Sequence, residues 1–340
     1  MSQKTGIAWT DSTWNPVVGC QKISEGCRNC YAKDLHDLRH KAFQDGKKLP
    51  MQYAEPFGTI QMMYERLEMP LRWKKPRRIF VNSVSDLFHQ DVEFNFIDEV
   101  FEIMRKAHWH TFQVLTKRPE RAVEWFRAYQ EKYSGWKDEP WPRNVWMGVS
   151  VENQEMADRR IPHLFKLPAW VRFLSCEPLL GPVNLGKVHD KNNHVYFDVL
   201  DGMRFDYGSD GFGVAAPMAE RIHWVIVGGE SGRAARPMYA DWARGLRDQC
   251  QQNHVPYFFK QWGEWVHTSQ PQVDGKLGKA LHRWGDDTFS LRVGTQTSGH
   301  LLDGVEWRQM PRSVERSVMV SGEQVAHTVP ADGANATVTV

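Results

Sequence analysis

The chain has 340 residues, of which 41% are apolar and 25% charged, the composition of a globular protein. A net charge of +2 excludes a global electrostatic pull toward nucleic acid. No apolar run suggests a signal peptide or a membrane span, so a cytoplasmic location is expected, where clustered cysteines serve as metal ligands or catalytic groups rather than as disulfides.

The first predicted element is a short strand in "NPVVG", residues 15–19. It runs into "GCQKISEGCRNCYAKDL", which puts Cys20, Cys27 and Cys30 within eleven residues in a C-x6-C-x2-C pattern. Three thiolates suit a closed zinc site with His36 or His40 as the fourth ligand. They also suit an iron–sulfur cluster with one iron left open, because such clusters usually take four cysteine ligands. Cys176 and Cys250 are the distal cysteines that could supply a fourth.

Six apolar runs follow: "RRIFVNSVSD" from Arg77, "TFQVLTKRPE" from Thr111, "NVWMGVSVEN" from Asn144, "WVRFLSCEPL" from Trp170, "HWVIVGGESG" from His223 and "VPYFFKQWG" from Val255. Their continuous apolar cores read as strands of a parallel sheet, buried on both faces. Helical periodicity lies between them. Phe94, Ile97, Val100, Phe101, Met104 and Ala107 share one face. After Pro119, Val123, Phe126, Tyr129 and Tyr133 share another, and Trp242, Leu246 and Cys250 mark a third.

The alternation predicts an α/β protein: a partial or full (β/α) barrel of parallel strands, with a doubly wound open sheet as the alternative. The barrel is expected over residues 1–265. Residues 181–222 are too long for a simple connection and are expected to be an inserted excursion. A small β appendage is expected over 266–312 and a flexible polar tail over 313–340.

Chemistry in such folds collects at the carboxyl ends of the strands. Polar clusters fall there: Asn82, Ser83, Ser85 and Asp86; Thr116, Lys117 and Arg118; Ser150, Glu152 and Asn153; Ser175, Cys176 and Glu177; Gly229, Glu230, Ser231 and Arg233; Lys260 and Gln261. Singly, a Ser or Asp there is usually a cap or turn residue, and Asp86 fits a helix cap. Together the clusters predict a functional rim. "RWKKPRR" and "LTKRPERAVEWFR" interleave basic and aromatic residues, as phosphate contacts and base stacking require, although solvated charge and helix core explain them as well.

Three cysteines after a barrel's first strand, ending in C-x2-C-aromatic, resemble the radical S-adenosylmethionine enzymes, with six residues in the first gap where that superfamily has three. The set "WTDSTWNPVVGCQKISEGCRNCYA", "FVNSVSDLFH", "FQVLTKRPER", "VWMGVSVEN", "LSCEPLLGP", "VIVGGESG" and "FFKQWGEW" further resembles a phage and bacterial family of unknown function that is treated as radical-SAM-like. The resemblance implies a [4Fe–4S] cluster on Cys20, Cys27 and Cys30, S-adenosylmethionine on its open iron, reductive cleavage to a radical that takes hydrogen from a substrate, and a flavodoxin- or ferredoxin-like electron donor. It implies Tyr31 near adenine. By position, Ser83, Ser85 and Asp86 become candidates for the cofactor's amino group, and Ser150, Glu152 and Asn153 for its ribose hydroxyls. Gly229, Glu230 and Ser231 become candidates for its carboxylate or for substrate. Lys117, Arg118, Arg233 and Lys260 are candidates for substrate, a nucleotide or DNA base. Cys176 is expected on the rim as a hydrogen donor. The alternatives are a zinc-stabilised nucleic-acid-binding protein and an iron–sulfur protein of redox or interaction function.

Overall fold

The structure, a computed structural model, describes residues 5–133, 140–207, 213–273 and 278–311. The expected tail, 313–340, lies outside the described residues. Seven parallel strands form the main sheet: β1 (Ser12–Trp14), β2 (Arg78–Val81), β3 (Thr111–Thr116), β4 (Val145–Ser150), β5 (Arg172–Cys176), and then Trp224–Gly228 and Tyr257–Gln261. They neighbour one another in chain order, as in a (β/α) barrel, without the reversal of order that a doubly wound sheet requires. The first and last strands do not pair, so the sheet is a half-barrel.

Between β5 and Trp224–Gly228 the chain makes a four-stranded antiparallel sheet: β6 (Val188–Asp190), β7 (Val195–Asp198), β8 (Met203–Tyr207) and β9 (Gly213–Pro217). This is the expected excursion. The two following barrel strands are therefore β10 (Trp224–Gly228) and β11 (Tyr257–Gln261). Beyond them, β12 (Trp265–His267), β13 (Leu281–Arg283) and β14 (Phe289–Arg292) form a small antiparallel sheet in the expected appendage. The free edge of β11 is partly covered by a passing segment: Phe259 N–H donates to Trp307 O at 2.8 Å and Gln309 N–H to Tyr257 O at 3.1 Å. A bare edge would otherwise offer unpaired donors and acceptors to another chain.

The three predicted helices are α2 (Phe94–Lys106), α3 (Pro119–Lys132, with Pro119 in its first turn) and α5 (Ala240–Gln252). Two more long helices, α1 (Tyr31–Gln44) and α4 (Gln154–Leu164), and the single turn Thr295–Ser298 went unseen in the sequence. In α1 only Ala32 and His36 are buried, so no apolar stripe marks its inner face. One strand expectation is corrected. Val17–Val18 in "NPVVG" pair antiparallel with Gln61–Met62, and the sheet's first strand is the upstream "STW".

Side chains alternate across each strand, so one sheet builds two cores. Outward, Ile79, Val114, Met147, Leu174 and Val225 join the helices in one large apolar core. Inward, Phe80, Phe173, Trp224, Ile226 and Phe258 close around Trp9. Trp9 lies 4.7 Å from the Phe80 ring and 6.2 Å from that of Trp224. Gly148 leaves room for this packing, since a Cβ there would stand 2.5 Å from the Phe173 ring. The lumen thus has an aromatic floor. The inward positions nearer the carboxyl edge are polar, namely Asn82, Lys117, Ser150, Ser175 and Lys260, with Glu152, Glu177 and Glu230 just beyond the strands.

Candidate functional site: a cysteine loop over the barrel mouth

The loop carrying Cys20, Cys27 and Cys30 crosses this polar edge and is fastened to four strand ends. After β2, Ser85 Oγ donates to Val17 O at 2.7 Å and Ser83 Oγ to Asn15 Oδ1 at 3.1 Å, while the Tyr31 hydroxyl donates to Ser83 O. After β3, Arg118 reaches Gln21 O at 3.0 Å and Cys20 Sγ at 3.8 Å. After β4, Glu152 Oε1 accepts from Ser24 Oγ at 2.7 Å. Gly26 lies so close that a Cβ would stand 2.3 Å from that oxygen. After β10, Glu230 Oε2 accepts from Asn29 Nδ2 at 3.0 Å, and Arg236 bridges Glu230 Oε1, at 2.7 Å, to Glu25 O, at 2.9 Å.

Several expected ligand contacts are instead structural contacts. Asp86 caps no helix, since α2 starts eight residues later. Its carboxylate accepts from Phe88 N–H at 3.1 Å, Thr116 Oγ1 at 2.7 Å, Lys117 N–H at 3.0 Å and Arg118 Nη1 at 3.0 Å. Four donors fill a carboxylate's acceptor sites, so no site is left for a cofactor amino group. Asn153 caps α4 by accepting from Met156 N–H at 3.0 Å. Gly229 donates its N–H to Gln261 O at 2.9 Å, so that donor is not free for an anion, and a Cβ there would stand 1.9 Å from Trp262 O. Ser231 accepts from Gln261 Nε2 at 2.9 Å. His36 and His40 turn to the backbone carbonyls of Glu55 and Tyr53.

Cys176 is the largest correction. Phe173 faces the lumen, so by alternation Ser175 and Glu177 do too, and Cys176 faces outward. It is fully buried among the residues of the outer core, with Cys250 and Tyr257 nearby. Burial pushes its thiol well above the ordinary value. A Cys176→Ser variant is expected to bury an unpartnered hydroxyl at a cost of about 1–3 kcal/mol. Denaturant unfolding would read that loss, with metal uptake as in the parent. Altered metal uptake in a stably folded variant would contradict this placement.

Electrostatics at the mouth are strongly paired. Lys117 Nζ donates to Ser150 Oγ at 2.8 Å and stands 3.6 Å from Glu152, whose other oxygen accepts from Arg160 at 2.6 Å. Glu152 and Arg160 are each 1% exposed. Across the mouth, Lys260 Nζ lies 2.9 Å from Glu177 Oε1. Burial and the Asp86 charge push the Cys20 thiol up to about 11, against the opposing pull of Arg118. At Cys27 burial acts in the same sense, but the Lys117 ammonium and donors from Ile23 and Ser24 prevail and lower it.

Glu152 and Glu230 both titrate below their ordinary 4.5. Burial opposes this in each. It is outweighed by Lys117 and Arg160 at Glu152, and by Arg236 and Asn29 at Glu230. A carboxyl depressed on folding stabilises above its unfolded value and loses that contribution as pH falls through its folded one. Unfolding free energy is therefore expected to decline below about pH 4.5. Denaturation at a series of pH values checks this, with Glu230→Gln expected to flatten part of the slope.

Sequence reading missed Ser24, Gly26, Asn29, Arg160 and Arg236 as site residues. It placed Glu177 on the rim without a role: two positions beyond inward Ser175, it continues the lumen face that Cys176 leaves.

In kind and number, three free thiols on one loop fit the donor set of a three-cysteine cluster. The sulfurs are not drawn together, for among the described residues no three His, Cys, Asp or Glu side chains are grouped to hold a metal ion. The fold and the site define a class, an α/β half-barrel with a three-cysteine loop latched over the carboxyl ends of its strands. The chain belongs to the DUF5131 family, described as a protein of unknown function, whose family model matches residues 4–311. No curated protein and no solved structure matches it.

Proposed function

We propose that this chain is a radical S-adenosylmethionine-type enzyme, with Cys20, Cys27 and Cys30 as the holders of a [4Fe–4S] cluster. One observation carries the proposal: four strand ends converge to latch a loop of three free cysteines over a polar barrel mouth. Ser83, Ser85, Asp86, Arg118, Glu152 and Glu230 position that loop. A bound cluster would supply the electron that splits S-adenosylmethionine into a radical able to take hydrogen from a substrate.

The chain's own part is binding, orientation and water exclusion. The aromatic floor closes the lumen from below. The ends of β5 and β11, with Glu177 and Lys260, are not among the four fastened to the cysteine loop, and with exposed Arg233 after β10 they offer both charges to a polar ligand. Tyr31 is 57% exposed at the loop's end, open to stacking by an adenine. Arg233 and Lys260 suit the phosphate of a nucleotide or DNA substrate. An electron donor would meet the exposed Tyr31, Leu35 and Leu38 on one face of α1, beside the cysteines. Free cysteines accord with a reducing cytoplasm, and no helix among the described residues is long and apolar enough to cross a membrane.

Anaerobic reconstitution with iron and sulfide tests the proposal. Bound iron and sulfide in near-equal amounts are expected, with an electron paramagnetic resonance signal that shifts when S-adenosylmethionine is added. Stoichiometric zinc in a colourless protein would favour the zinc alternative, although His36 and His40 are engaged elsewhere. A signal indifferent to S-adenosylmethionine would leave a redox or interaction protein.

A further inference from the structure

Two of the three cations of "LTKRPER", Lys117 and Arg118, stand out because they serve neither solvent nor a helix face. They turn into the mouth, where Arg118 meets the cysteine loop. Arg118 makes three kinds of contact with one guanidinium: Asp86 Oδ2 at 3.0 Å, Gln21 O at 3.0 Å and Cys20 Sγ at 3.8 Å. Its side chain is only 13% exposed. Lys117, the next residue back, is fixed by Ser150 Oγ at 2.8 Å and stands 3.6 Å from Glu152, the carboxylate that holds Ser24 of the Cys27 turn, and its charge acts on Cys27. These two residues thus bring two positive charges to two of the three cysteines from one strand end.

We propose that Arg118 and Lys117 are positioning residues of the cysteine site. Arg118 clasps the Cys20 end of the loop to Asp86, and the pair offsets the Asp86 and Glu152 carboxylates at the mouth, so that an anionic iron–sulfur cluster is retained and more readily reduced. This rests on the cluster reading given above. Three thiolates outweigh the positive core of such a cluster, and reduction adds one more negative charge. Nearby fixed cations therefore favour the bound state over the free one and the reduced state over the oxidised one. Guanidinium suits the clasp because its planar fork can serve several acceptors at once, which an ammonium cannot copy in the same geometry. Asp86 keeps three other donors without Arg118, so the strand end has contacts left to hold it in a variant.

The test uses the full chain, reconstituted anaerobically with iron and sulfide, as parent, Arg118→Gln, Arg118→Lys and Lys117→Gln. Thermal unfolding of each apoprotein establishes folding first. Two quantities are read: iron retained after gel filtration, and the midpoint potential of the cluster by titration followed by electron paramagnetic resonance. Arg118→Gln is expected to lose iron and to shift the potential to more negative values. Lys117→Gln should shift it in the same direction. Arg118→Lys keeps the charge and should recover most of the potential while still losing iron faster than the parent, since the fork is gone. A packing role alone would move stability and leave the potential where it was. Folded Arg118→Gln and Lys117→Gln proteins that match the parent in potential and iron retention overturn the inference while leaving the cluster reading in place. A parent that takes up no iron, or only zinc, overturns the cluster reading itself, and the inference with it.

Discussion

Replacing Cys27 with alanine is expected to reduce iron retention to background in protein reconstituted anaerobically. The loop offers three thiols close together in sequence. His36 and His40 are bound to the 53–55 backbone, and Cys176 and Cys250 are buried in the core behind the sheet, so nothing nearby can substitute. The fold should scarcely register the change. Cys27 is partly exposed, and its side-chain contact is a weak one to Ser24 Oγ at 3.7 Å. Truncating such a residue costs within about 0.5 kcal/mol, so the thermal midpoint should stay near the parent's. Full iron content in Cys27→Ala would refute the assignment of this loop as the metal holder, and a collapsed fold would show that its role is structural.

The second large effect is expected at Glu152, in stability rather than in metal content alone. Glu152 and Arg160 form an ion pair at 2.6 Å with both side chains 1% exposed. Removing one member of such a pair leaves the other charged and buried without compensation, a loss of about 3–5 kcal/mol. Arg160 Nε already lacks a hydrogen-bond partner, so the site has little capacity to absorb a second defect. Glu152→Ala also frees Ser24 and the wall against which Gly26 lies, so the loop should loosen on its own side of the mouth. Denaturant unfolding measures the first effect, and limited proteolysis between Cys20 and Cys30 the second. Glu152→Gln, which keeps the shape and loses the charge, should fall between parent and alanine. An unchanged unfolding midpoint in Glu152→Ala would mean that the pair contributes nothing net.

Read in the sequence, six of the seven barrel strands and three of the five helices longer than ten residues were legible. Each carries a local signal: a continuous apolar core in strands such as "IFV" and "FQVL", a 3.6-residue stripe in α2, or a proline in the first turn of α3. The first strand was placed too late because "VV" is the more apolar of two adjacent pieces, and only sheet pairing selects "STW". Helix α4 carries Pro162 within it and α1 buries little, so neither announces itself.

For the site, composition and spacing alone determined that three cysteines lie on one short loop and that polar residues gather at the carboxyl ends of the strands. Both are statements about neighbours along the chain. What each polar residue does was decided only by the tertiary structure, because a carboxylate's role depends on which donors reach it from elsewhere. Three of the four donors on Asp86 come from Thr116, Lys117 and Arg118 at the end of β3, the last two more than thirty positions away in the chain. Glu152 is taken up by Arg160 and by Ser24, whose separation from it is 128 residues. The direction of Cys176 followed from the parity of its strand once Phe173 was seen to face the lumen. A strand buried on both faces shows no polar–apolar alternation, so its sequence leaves open which face is which until the sheet curves around an interior.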